Sequence, residues 1–168
     1  MKSVYENSFD SNEWFVIISL VALCALVWFL PRIFSWLEGF FHFTIGIYIG
    51  MFYDHTISVK PWDFYDVNDT SAYQFIDFLS YIMYGPYSYL FMYLYVKLRI
   101  KGLMIIGYLL IWTFFSLILE YISVKIGLFH YEKGFKMHWS IVIYLSAQML
   151  QILLFHIIRA KEKTEKVH

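Results

Sequence analysis

Two uninterrupted apolar runs constrain this chain more than any other feature. Trp14 to Leu30 and Leu103 to Leu119 contain no charged residue, and each approaches the roughly 20 residues a helix needs to cross a bilayer core. A segment in lipid must satisfy its own backbone hydrogen bonds, so runs of this kind are helices. Composition agrees: hydrophobic residues make up 60%, aromatics 23% and charged residues only 15%, where a soluble domain carries about a quarter charged. The expected fold class is all-α, a polytopic membrane helix bundle with about five transmembrane helices in a single integral membrane domain.

The expected spans are 14–30, 33–53, 73–95, 103–124 and 139–158, with 159–168 as a solvated cytoplasmic tail. Pro31-Arg32 separates the first two spans into an antiparallel hairpin, because proline suits a first helical turn and not an interior. Gly85-Pro86 falls inside the third span, where proline removes a backbone hydrogen bond to Ile82. A kink and a hinge are expected there.

Five spans place the termini on opposite sides. Lys2, Lys60, Lys125, Lys133 and Lys136 fall on the N-terminal side, five in all, against eight on the other, including the short cluster Lys97, Arg99 and Lys101. The positive-inside bias then puts the N-terminus outside and the C-terminus in the cytoplasm of a plasma membrane. Glu6, Asp10 and Glu13 before the first run, with no small-residue cleavage site after it, argue that it stays as a helix. A formal net charge of zero gives no basic face for nucleic acid, and the single Cys24 can form no internal disulfide.

The polar residues inside the spans are few and aligned. Thr113, Ser116, Glu120 and Ser123 recur at intervals of three, four and three, which puts them on one helical face. Asp77, Ser80, Tyr84 and Ser88 do the same in the third span, and Gln148 and Gln151 sit mid-way along the fifth with Tyr144 above them. Lipid offers no hydrogen bonds, so such faces turn toward each other. The expectation is a polar cavity open outward, walled by spans three, four and five, with Asp77, Ser116, Glu120, Gln148 and Gln151 as candidate ligand residues. The plainer reading of Glu120 is an interfacial carboxylate bonded to a neighbouring helix.

Glu38 and His42, one turn apart in the second span, form a secondary polar pair. Ion pairing between them is the simpler reading, since two ligands do not make a metal site. Gly46 and Gly50 continue that spiral with small residues that allow close helix approach. The loop aspartates Asp54, Asp63, Asp66 and Asp69 lack the alternation and turn glycine of a calcium loop, so turn and cap roles are expected for them. His130 and His138 lack zinc spacing, and no phosphate loop, nucleophile elbow or CxxC occurs. Neither metal nor cofactor is expected.

The segment from Trp112 to Lys136 resembles a family of small uncharacterised five-span integral membrane proteins of spore-forming Gram-positive bacteria. The matching residues are Trp112, Ser116, Glu120, Gly127, Phe129, Tyr131, Gly134 and Lys136, joined by Asp54 and Gly85-Pro86. Phe135 departs from the pattern, which has tryptophan there. The resemblance implies the five-span topology and brings no activity.

Three functions fit these features. The leading one is a non-enzymatic membrane protein that binds or passes a small solute or lipid through the cavity. Five spans are too few for an inverted-repeat carrier, so transport needs a homo-oligomer or a membrane partner. A lipid- or isoprenoid-modifying enzyme using Glu120 as an acid is the second. A structural or assembly subunit, whose polar residues only hold helices together, is the third.

Overall fold

The structure, a computed structural model, describes residues 11–67 and 75–165, with 161–165 as backbone only. Among them run α1 (Ser11–Phe29), α2 (Trp36–Ile57), β1 (Tyr65–Val67), α3 (Phe75–Lys97), α4 (Met104–Lys125), β2 (Phe129–Tyr131) and α5 (Met137–Glu165). Apart from the short ribbon of β1 and β2, the regular structure of the described residues is all helical. Each helix falls on an expected run, and α5 continues past the expected end at Ile158. The expected start of the third span at Tyr73, together with Asp69, Lys2, Glu6 and Asp10, lies outside the described residues.

Local chemistry sets the helix ends. Ser35 opens α2 with a capping box: its hydroxyl accepts from the Glu38 N–H at 3.2 Å, and the Glu38 carboxylate accepts from the Ser35 N–H at 2.9 Å. At the end of α4, Gly127 takes φ +84°. That lets the Leu128 N–H reach the Ser123 carbonyl at 2.8 Å and the Gly127 N–H the Val124 carbonyl at 3.4 Å. This is a Schellman closure, a left-handed geometry that glycine adopts without strain. It reverses the chain and sends β2 back over the end of α4.

β2 pairs antiparallel with β1, with Tyr65 opposite Tyr131, Asp66 opposite His130 and Val67 opposite Phe129. The α2–α3 and α4–α5 links therefore meet at one end of the bundle. Val16 of α1 packs with Ile76 and Leu128 at that same end. At the opposite end Arg159 of α5 pairs with Glu38 of α2 at 3.1 Å. Consecutive helices thus run in alternating directions.

α3 is the central helix. Phe91, Met92, Tyr93 and Tyr95 are buried with Phe34, Tyr108, Ile152 and Phe155 in the main apolar cluster. α2 lies closest to it, because glycines remove side-chain bulk at the crossing. A Cβ added at Gly46 would sit 2.3 Å from Ser88 Cβ, and one at Gly50 would sit 2.2 Å from the Tyr84 ring. Gly85 is equally tight against the Phe43 ring, and α3 continues as helix through Pro86.

Burial is reversed relative to a water-soluble bundle. Thr113, Glu120 and Gln148 are 4–5% exposed, whereas Ile111 and Val142 are 70% and Trp28 is 82% exposed. Apolar side chains outside and hydrogen-bonding ones inside suit lipid as solvent. Three helices, α1, α4 and α5, are long and apolar enough to cross a membrane. α2 and α3 are as long but more polar: α3 alone carries six tyrosines, from Tyr81 to Tyr95.

Candidate functional site

All five helices surround a cavity of about 380 Å³, closed at one end by the ribbon and the loop that follows it. The expected wall of spans three, four and five is therefore incomplete. α1 contributes Phe15, Ser19 and Leu23, and α2 contributes Ile49, Tyr53 and Asp54. α1 lines the cavity because it packs along α3, and the helix glycines draw α2 close enough to join it.

Glu120 is built into the end of this cavity nearest the ribbon. It lies in the last two turns of α4, and the turn at Gly127 folds Tyr131 back onto it. Glu120 Oε1 accepts from the Tyr131 hydroxyl at 2.5 Å and from the Ser140 hydroxyl of α5 at 2.6 Å. The Tyr144 phenol faces the same carboxylate. Glu120 Oε2 is buried with no hydrogen-bond partner among the described residues.

A second carboxylate has the same arrangement. Asp54 Oδ1 accepts from the Tyr65 hydroxyl at 2.6 Å, and its Oδ2 is buried with no hydrogen-bond partner among the described residues. Tyr65 and Tyr131 are opposed residues of the ribbon, so one two-stranded unit presents one phenol to each acid. Phe135 packs against both rings, with centroids 5.7 Å from Tyr65 and 5.4 Å from Tyr131. Burial, and then the neighbouring carboxylate, hold both phenols well above the usual tyrosine range, so each stays a proton donor.

The deeper wall is neutral and polar. Tyr87 donates to Ser116 Oγ at 2.7 Å, and Ser116 donates on to the Trp112 carbonyl at 2.8 Å. Ser88 Oγ lies 2.7 Å from both the His42 carbonyl and the Gln151 side-chain amide, tying α2, α3 and α5 together. Thr113 reaches Gln148 Oε1 at 3.3 Å. Between these groups the wall is aromatic and aliphatic, including Met83, Phe115 and Leu119.

Of the sequence candidates, Ser116, Glu120, Gln148 and Gln151 come together around the cavity, and Asp77 does not. Asp77 is buried in the first turn of α3, where free backbone N–H groups and the helix dipole favour a carboxylate. The acid that shares the hollow with Glu120 is Asp54, which sequence reasoning had given a turn or cap role. One signal pointed to it: Asp54 lies in the last turns of α2, where the helix dipole disfavours negative charge.

Glu38 and His42 do not pair with each other. Glu38 caps α2 and binds Arg159. The His42 ring is buried among Phe34, Phe41 and Phe155, with centroids 4.9–5.8 Å away. Gly85 and Pro86 line none of the cavity, and their close contact with Phe43 accounts for the small residue. Among the described residues no three His, Cys, Asp or Glu side chains gather as a metal site.

Comparison with protein-family models, with curated proteins and with solved structures finds no match.

Proposed function

We propose that this protein is a five-span membrane protein that binds a small amphipathic solute or lipid in its central hollow. One observation carries the reading: a cavity among the helices with a carboxylate-bearing end and a wall of aromatic, aliphatic and neutral polar side chains, inside a bundle whose exterior is apolar. Its volume of about 380 Å³ lies within the range of ligand sites, roughly 300–1,000 Å³. A purely structural bundle would fill that space with side chains, since each void loses packing contacts.

Crossing by α2 and α3 is supported by their length, with the 22 residues of α2 covering about 33 Å, and by the alternating helix directions. The lysine and arginine bias places the ribbon outside and the Glu38–Arg159 end in the cytoplasm of a plasma membrane. Membership of the five-span spore-former family fits as well. Gly127, Phe129 and Tyr131, three residues of that resemblance, build the turn and the strand that close the cavity. Binding is favoured over acid catalysis because the Tyr131 and Ser140 hydroxyls both donate to Glu120 Oε1, an arrangement that suits an ionised carboxylate acting as an acceptor.

Native mass spectrometry of protein released from its own membranes tests the reading. Wild-type protein is expected to carry a small bound molecule. Ala147→Phe, which fills the cavity from α5, is expected to lose it while keeping its melting temperature within a few degrees. Wild-type protein free of any adduct in gentle detergent would refute a binding role.

A further inference from the structure

The two buried acids narrow the class of occupant. Asp54 and Glu120 approach the same hollow from α2 and α4, under opposed tyrosines of one ribbon. Each is at least nine-tenths buried, with one oxygen held by a phenol and the other without a hydrogen-bond partner among the described residues. An unsatisfied carboxylate oxygen in a buried site is costly, and the missing component is a hydrogen-bond donor. No described lysine or arginine lines the cavity, and His55, the sequence neighbour of Asp54, is not among the lining residues either.

We infer that the occupant carries a primary ammonium group on an apolar body, its head held between Asp54 and Glu120 beneath the ribbon. A primary ammonium presents three donors, and either open oxygen can accept one of them. Tyr84 and Tyr144 also line the cavity, and aromatic rings attract a cation placed over their faces. A divalent metal fits less well, because it demands more oxygen or nitrogen ligands than two carboxylates supply. The apolar body would lie along Met83, Phe115 and Leu119. This identification rests on the proposal that the cavity is a binding site.

The amine can come from a free amphiphile or from an aminated lipid headgroup, and the test separates the two. Full-length protein in phosphatidylcholine nanodiscs is titrated calorimetrically with octylammonium, octanol and octanoate, with empty nanodiscs subtracted. Octylammonium is expected to bind about tenfold or more tighter than octanol, and octanoate not at all. Asp54→Asn and Glu120→Gln are each expected to weaken octylammonium about tenfold while leaving octanol unchanged. Repeating the titration with phosphatidylethanolamine in the disc assigns the source: competition identifies a lipid amine, and its absence a free one.

Equal binding of octanol and octylammonium by wild-type protein would overturn the cationic assignment and leave the cavity reading standing. That comparison needs no variant to fold. Absence of binding by all three probes, with Ala147→Phe indistinguishable from wild type, would instead refute the cavity reading itself.

Discussion

At the residue scale the contacts that matter most join the ribbon to the two acids. Tyr131→Phe removes the hydroxyl that Glu120 Oε1 accepts from and leaves the carboxylate more exposed to its own desolvation. A loss of about 1.5–3 kcal/mol is expected, the range for hydrogen bonds to charged groups, read from reversible unfolding in mixed micelles. Tyr65→Phe should act the same way through Asp54. Both phenols have pKa values raised above the ordinary range. The unfolded chain therefore gives up these protons first. Their contribution is fully present below about pH 10 and declines as pH rises through the folded values. A melting temperature that falls above about pH 10 in wild type, and falls less steeply in the double Tyr→Phe variant, would match this sign. The periodicity of α4 made Thr113, Ser116, Glu120 and Ser123 legible as one inward face, because helical spacing is a local property of the sequence. Asp54 was not legible in that way. Its role depends on Tyr65 and on the pairing of β1 with β2, neither of which any spacing along the chain encodes.

At the element scale the α2–α3 crossing and the ribbon position the site. Gly46→Ala would bring a methyl to 2.3 Å from Ser88 Cβ and against the Tyr84 carbonyl at 2.6 Å. Neither backbone atoms nor a short side chain can yield cheaply, so a loss of about 1–3 kcal/mol or more is expected. The variant should melt earlier and bind any cavity ligand more weakly, since both Tyr84 and Ser88 line the cavity. Gly127→Ala meets no steric obstacle within 4 Å apart from His130, yet it forces a left-handed backbone on a residue with a Cβ. The expected loss is about 1 kcal/mol, with the Tyr131–Glu120 bond loosened as the turn relaxes. Helix positions were readable from apolar runs to within a few residues, except that α5 continues past Ile158 to Glu165, where the charged tail gave no apolar signal. On α3 the spacing of Ser80, Tyr84 and Ser88 marked the face that lines the cavity, whereas Asp77, aligned with them in sequence, lies outside that lining, and nothing in the spacing singled out Tyr87 or Tyr95. Tyrosines there serve as hydrogen-bonding core, as Tyr87 and Tyr95 do with Ser116 and His156.

At the scale of the whole molecule, the polar hollow and the apolar exterior are two sides of one arrangement. Thr113, Glu120, Gln148 and Gln151 are buried while Ile111, Val142 and Trp28 face outward, a distribution that suits lipid as the surrounding solvent. The membrane environment was legible from composition alone. The participation of α1 and α2 in the cavity was not, because it follows from helix packing that only the folded chain reveals. Spin-label accessibility measures this arrangement most directly. In a Cys24→Ser background reconstituted in bilayers, single nitroxides are placed at exposed positions Val21 on α1, Tyr48 on α2, Ile111 on α4 and Val142 on α5. Relaxation by oxygen, which concentrates in lipid, is compared with relaxation by a water-soluble nickel chelate. All four labels are expected to be strongly relaxed by oxygen and weakly by nickel. A label at Tyr48 that is relaxed chiefly by nickel would take α2 out of the bilayer and contradict a five-helix bundle enclosing a buried, carboxylate-lined hollow.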